Sequence, residues 1–170
     1  RYNGLKYVFV SVCLFSCWVE ASPTRRSDSM TVAKLLLKEV VPRCGLPVSI
    51  ETDRGTHFKN EIMGLLCSAL QIEQKFHCRY RPQSSGVVMR INGTIKNKLA
   101  KLCASTNLKW SDTLPLVLMN IRCTPNKKTG LSPHEILMGR PMRIAYVASE
   151  SLLTIADDVV LDYCKGQADV

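Results

Sequence analysis

An α/β domain is the fold class that this sequence predicts, and three observations predict it. An apolar run rich in Val, Phe, Cys and Trp, readable as a pair of buried strands, opens the chain. Helical-period stripes then alternate with single strand-like runs. The 170 residues are 46% hydrophobic and 22% charged, enough for one core, and this excludes collagen-like, coiled-coil and wholly disordered chains.

Tyr7–Val19 is dense in Val, Phe, Cys and Trp, and Ser16-Cys17 breaks it as a short hairpin turn would. The same run also reads as a secretory signal, with Arg1 and Lys6 before it and Val19-Glu20-Ala21 as a loose cleavage site. Its 13 residues are too few to span a bilayer. Eight cysteines fall at 13, 17, 44, 67, 78, 103, 123 and 164, with no C-x-x-C and no zinc spacing to His57, His77 or His134. Cys67 and Cys103 sit inside apolar periodic stretches, where a thiol behaves as a small hydrophobe. Reduced thiols in an intracellular protein are therefore expected; the alternative is a secreted, disulfide-bonded protein beginning near Ser22.

Asp28-Ser29 offers an N-cap to a helix carrying Val32, Leu35, Leu36 and Val40, which Pro42 is expected to stop. Val48–Ile50 reads as a buried strand after the Gly45-Leu46-Pro47 turn, and Ile62, Leu65, Leu66 and Ala69 mark a second amphipathic helix. Gln71–Phe76 alternates like an edge strand, and Cys78–Ser85 reads as a polar loop. Val88, Ile91, Ile95, Leu99 and Leu102 trace one stripe of a long helix. Trp110, Leu114, Val117, Leu118 and Ile121 trace another, with Pro115 expected in its first turn. Ser132-Pro133-His134-Glu135 is a capping box that opens a short helix, and Gly139 closes it. Residues 140–150 read as a linker and Ile155–Ala168 as a final acidic helix.

Charge is unevenly spread. Residues 1–143 carry 22 basic and 9 acidic groups, whereas 144–170 carry 1 and 5, so a body of +13 precedes a tail of −4. That balance points to a polyanionic partner, nucleic acid before anionic membrane. The span 74–111 holds Lys75, Arg79, Arg81, Arg90, Lys96, Lys98, Lys101 and Lys109 without one acid. On a helical wheel Arg90, Thr94, Asn97 and Lys101 cluster away from the apolar stripe, a ridge suited to phosphates; a merely solvated face normally mixes both signs. Thr52-Asp53-Arg54-Gly55 places an aspartate directly after a strand, a position for a metal ligand, although such a sequence also makes an ordinary Asx-turn. Tyr80-Arg-Pro-Gln-Ser-Ser-Gly86 leads small residues into the long helix, where backbone N–H groups can approach an anion.

These segments, with Phe15-Ser-Cys-Trp-Val-Glu-Ala21 and Leu131-Ser-Pro-His-Glu-Ile-Leu-Met-Gly139, resemble the core domain of retroviral integrases, nearest to gammaretrovirus-like endogenous elements. The likeness covers roughly residues 5–143 in order. It implies a core-like domain over 1–143, with 144–170 as linker and acidic helix or tail. It also implies a ribonuclease-H-like fold, a mixed five-stranded sheet with helices on both faces, and two-metal phosphoryl transfer. In the family, two aspartates and a glutamate hold two Mg²⁺ ions. Asp53 matches the second aspartate, Met89 falls where the glutamate belongs, and the strand bearing the first aspartate is expected to be missing. A thioether has little affinity for Mg²⁺, so metal binding through Asp53 alone is expected to be weak.

The resemblance also implies that Lys96 meets DNA ends and that Ser85 lies near the active site. Together with Arg79, Arg81, Arg90, Lys98 and Lys101 these are the expected nucleic-acid contacts. Cys17 replaces a common hairpin Gly, so strain is expected there, and Gly93 weakens the helix interior. Asn92-Gly93-Thr94 matches a glycosylation sequon but falls mid-helix and is read as accidental. The expectation is a degenerate, truncated integrase core of endogenous retroviral origin. It would bind DNA or another nucleic acid, could pair with itself through the core, sit in no membrane, and act inside the cell, in the nucleus when DNA-bound. Polynucleotidyl transfer is not expected. The alternatives are an active fragment completed by upstream sequence, which Met89 opposes, and a relic whose product is put to no use.

Overall fold

The computed structural model describes residues 4–52, 61–76, 82–127 and 129–144, with the backbone alone at 82–85. Strands β1 (Tyr7–Val12) and β2 (Val19–Thr24) form an antiparallel hairpin, in register from Tyr7 opposite Thr24 to Val12 opposite Val19. The run that also read as a secretory signal is thus this hairpin, and Ser22 lies within β2 opposite Phe9. The turn closes with the Cys17 N–H donating to the Cys13 carbonyl at 2.8 Å and the Cys13 N–H to the Trp18 carbonyl at 2.9 Å. Cys17 takes φ 57°, the left-handed conformation expected where glycine would serve better.

Helix α1 (Ser29–Leu35) passes through a π turn, Leu36–Val40, into α2 (Val41–Cys44). Pro42 therefore does not stop the helix. The π turn widens the hydrogen-bond ladder, the Val41 N–H reaching the Leu36 carbonyl, so that proline enters as a first-turn residue. Gly45, at φ 77°, ends it. Strands β3 (Ser49–Thr52) and β4 (Glu73–Phe76) pair in parallel around α3 (Glu61–Ala69). Val48, expected inside, is 87% exposed and precedes the strand. The buried face of α3 is Met63 and Cys67, with Ile62 and Leu66 beside them; Leu65 points to solvent.

Helix α4 (Pro82–Thr106) starts inside the segment expected as a loop, because Pro82 fits a first turn that needs no N–H. Helix α5 (Trp110–Cys123) follows, with Pro115 exposed in its second turn rather than its first. Helix α6 (Pro133–Met138) has the full capping box, Ser132 Oγ accepting from the Glu135 N–H at 3.2 Å and Glu135 Oε2 from the Ser132 N–H at 2.8 Å. Residues 140–144 carry no regular structure; the expected acidic helix, Ile155–Ala168, lies outside the described residues.

Period-2 alternation puts helices on both faces of the hairpin. Val8, Val10 and Val12 join Val19, Ile95, Leu114, Val117, Leu118 and Ile121 on one side. Phe9 turns the other way, to Val32, Ala33, Met63, Cys67 and Ile72. In place of a five-stranded sheet, the described strands form two two-stranded ladders, one antiparallel and one parallel, so β1 and β3 each keep an edge without a strand neighbour among the described residues. The described cysteines, 13, 17, 44, 67, 103 and 123, are all free.

Candidate nucleic-acid interface

Helix α4 carries no Asp or Glu in its 25 residues. Its orientation is fixed by Ile95, which is buried, and by Ile91, Leu99 and Leu102, which pack on the same core. Arg90, Lys96 and Lys101 lie off that stripe and are exposed. Arg90, Thr94 and Lys98 follow one another at i, i+4 and i+8 along one flank. Lys96 and Met89, seven residues apart, share another, and Lys101 is exposed five residues beyond Lys96. The expected cations thus occupy two flanks of the helix. None of Arg90, Lys96, Lys98 and Lys101 has a carboxylate partner among the described residues; Lys98 donates instead to Asn120 Oδ1. Lys75, grouped with them from sequence, pairs with Glu73 at 2.9 Å and drops out.

The Arg90–Lys98 flank borders a cleft of about 530 Å³ that the sequence did not reveal. Ile91 and Ile121 line it beside Thr124, Asn126 and Pro133, and Cys17 of the hairpin turn closes one end. Cys17 Sγ lies 3.9 Å from Asn126 Nδ2. No local pattern joins position 17 to positions 90–98 and 121–133; only the packing of α4 and α5 on the hairpin does.

Behind the cleft a charged network fixes α5 to the hairpin. Glu20, with a side chain 5% exposed, accepts from Trp18 Nε1 at 2.9 Å, Arg43 Nη1 at 2.9 Å and Arg122 Nη2 at 2.8 Å. Arg122 also donates twice to the Val19 carbonyl, at 3.0 and 2.8 Å, and its guanidinium stacks 4.4 Å from the Trp18 ring centroid. Burial pulls the Arg122 guanidinium below its ordinary pKa, and the facing Glu20 opposes that shift.

Asp53, Arg79 and Arg81 lie outside the described residues, as does the side chain of Ser85. Asp53 follows β3, which ends at Thr52. Met89 is 72% exposed, so packing gives no reason for an apolar side chain at that position. Among the described residues no group of three His, Cys, Asp or Glu converges, and α4 carries no carboxylate.

The sequence profile of the integrase core domain family matches residues 1–82. The chain is 50% identical over 142 residues to the Pol polyprotein of feline endogenous virus ECE1, covering 83% of this chain and 14% of that protein. It is 44% identical over 155 residues to the Gag-Pol polyprotein of walleye dermal sarcoma virus, covering 91% of this chain and 9% of that one. The chain thus spans less than a quarter of the length of these curated relatives. Among solved structures, the HTLV-2 integrase catalytic core domain in complex with magnesium, in trimeric form, superposes with a TM-score of 0.68 at 26% identity, covering 80% of this chain and 88% of that one. The fold is the ribonuclease-H-like fold of those cores, and the chain belongs to the retroviral integrase core domain family.

Proposed function

We propose that this integrase core binds duplex DNA through the phosphates and does not catalyse polynucleotidyl transfer. The observation that carries the reading is α4: an acid-free helix whose Arg90, Lys96, Lys98 and Lys101 have no carboxylate partner among the described residues, with an exposed Met89 that we assign to the place of the family glutamate. Cations without carboxylate partners are available to phosphate oxygens, and each phosphate they neutralise releases counterion. Two divalent ions close together need several carboxylates to offset their mutual repulsion, and Asp53 is one. Arg79, Arg81 and Ser85, just before or within the first turn of α4, belong to the same proposed surface. Self-association through the core belongs to the proposal too, supported by the trimeric form in which the HTLV-2 core was solved.

Fluorescence anisotropy with a labelled duplex tests the binding. Affinity should be on the order of 10⁻⁴–10⁻⁶ M at physiological salt, and log K should fall linearly with log salt. Replacing Lys96, Lys98 and Lys101 together by Gln should flatten that slope by roughly one unit per lost contact. Salt-independent binding would reduce the helix to a solvated face. Strand transfer with Mg²⁺ or Mn²⁺ that disappears in Asp53→Asn would overturn the inactive reading.

A further inference from the structure

The cleft beside α4 has two properties that DNA backbone binding does not use. Its lining includes the apolar Ile91, Ile121 and Pro133, and its volume of about 530 Å³ can take several side chains. Its rim carries Arg90 and Lys98 without carboxylate partners among the described residues. Apolar lining residues beside two cations match a segment that alternates apolar residues with acids.

The chain contains one such segment. Residues 150–163 hold Glu150, Asp157, Asp158 and Asp162 and no Lys or Arg. On a 100° helical wheel Leu152, Ile155, Val159 and Tyr163 fall on one side, with Asp158 and Asp162 along one edge of that face and Glu150 and Asp157 opposite it. This is the acidic part of the tail, of charge opposite to the body. It also starts close to the cleft: His134 Nδ1 lies 2.9 Å from the Arg140 carbonyl, folding the chain after α6 back over that helix, whose first residue, Pro133, is a wall of the cleft. Residues 145–150 alone can span up to about 20 Å.

We propose that residues 150–163 dock in this cleft within the same chain, placing their apolar side chains against Ile91, Ile121 and Pro133 and their carboxylates on Arg90 and Lys98. The docked segment covers part of the phosphate-facing flank and so makes the cleft an autoinhibitory surface. The docking itself stands apart from the DNA reading, because it needs no nucleic acid.

Two native cysteines report on it. Cys17 lines the cleft, and Cys164 directly follows the segment. The full chain is treated with a short bis-maleimide in the absence of DNA, and the monomer fraction is mapped by mass spectrometry. The expected product is a Cys17–Cys164 cross-link that dominates the products of Cys164. Asp157→Asn, Asp158→Asn and Asp162→Asn together, or Arg90→Ser with Lys98→Ser, should lower its yield about tenfold or more, the equivalent of one charge-assisted contact. Neither set touches the buried core, so a cross-link that persists in both overturns the proposal. An even spread of Cys164 over Cys13, Cys44 and Cys123 also overturns it, as does a Cys17–Cys164 link found only between two chains. Since no DNA is present, failure of the DNA-binding reading leaves this result unaffected.

Discussion

The β1–β2 hairpin and the β3–β4 ladder each lay a strand pair against helices, but they are held by different forces. The hairpin side combines a core of six buried residues with the Glu20 network, in which one carboxylate joins β2 to α2 and α5. The core of the ladder side is a smaller apolar cluster, its ion pair, Lys75–Glu73, is exposed, and the buried Thr52 Oγ1 has no hydrogen-bond partner among the described residues. A low-dielectric interior makes a satisfied charge a strong clamp and an unsatisfied polar atom a liability. The clamped side carries the cationic flank of α4, so its packing decides where the cations point. On the ladder side β3 ends at Thr52, directly before Asp53 in the sequence.

The sharpest way to break this comparison is to remove the clamp. Glu20→Ala strands Arg122, whose side chain is only 18% exposed, without its carboxylate. The expected cost is about 3–5 kcal/mol of unfolding free energy, because a partly buried guanidinium keeps its desolvation penalty and loses its partner. Thr52→Val should do the opposite on the ladder side, leaving stability unchanged or raising it by up to about 1 kcal/mol, since it removes an orphaned hydroxyl and keeps the shape. Urea unfolding of the two variants beside the parent chain measures both. Equal and small effects would mean that the two halves are held alike.

Which of these features were legible in the sequence follows from the range of the forces. Local signals read through: the capping box at Ser132, the stop at Gly139 and the stripe of α4 each depend on residues within a turn or two. Cys17 was legible through the resemblance, which implies a hairpin Gly at that position, and its φ is 57°. Tertiary features did not read through. Leu65 looks like a core residue by spacing, but α3 is rotated so that Met63 and Cys67 face the core instead. Pro42 looks like a stop until a π turn admits it. At the candidate interface the cations were visible as a run without acids. Which of them share a flank, and which border a cleft with residues from α5 and α6, depends on packing that no local pattern encodes.

A smaller effect comes from the cap of α6. The Ser132 side chain, and next its backbone N–H, hold the Glu135 carboxyl below its usual pKa, as Thr31 chiefly does for Asp28. A group whose folded pKa is depressed adds stability above its unfolded value, about 4.3 for Glu, and loses it as pH falls through the lower folded value. Ser132→Ala also removes the cap bond to the Glu135 N–H, whose loss should lower stability near neutral pH by about 0.5–2 kcal/mol. Its difference from the parent should narrow as pH drops below about 4. Thermal unfolding across pH 3–7 measures it, and a difference that widens toward acid would contradict the assigned hydrogen bonds.

The smallest expected effect lies in α4 itself. Gly93 sits in the interior of this helix, and a Cβ built there meets nothing within 4 Å. Helical φ and ψ suit alanine, so Gly93→Ala adds no strain and removes backbone freedom from the unfolded chain. The expected gain is about 0.5–1 kcal/mol. The same change in α3, Gly64→Ala, meets the same open space and serves as the comparison in the ladder half. If α4 is already held rigid by Ile95 and its neighbours, both variants should gain alike, because the benefit arises in the unfolded state. Hydrogen exchange of the α4 amides separates the two sources. Uniform slowing across the protein in Gly93→Ala means global stabilisation. Slowing confined to residues 86–98 means that the helix carrying the cations opens locally in the parent chain, and that its glycine sets how firmly Arg90 and Lys98 are presented.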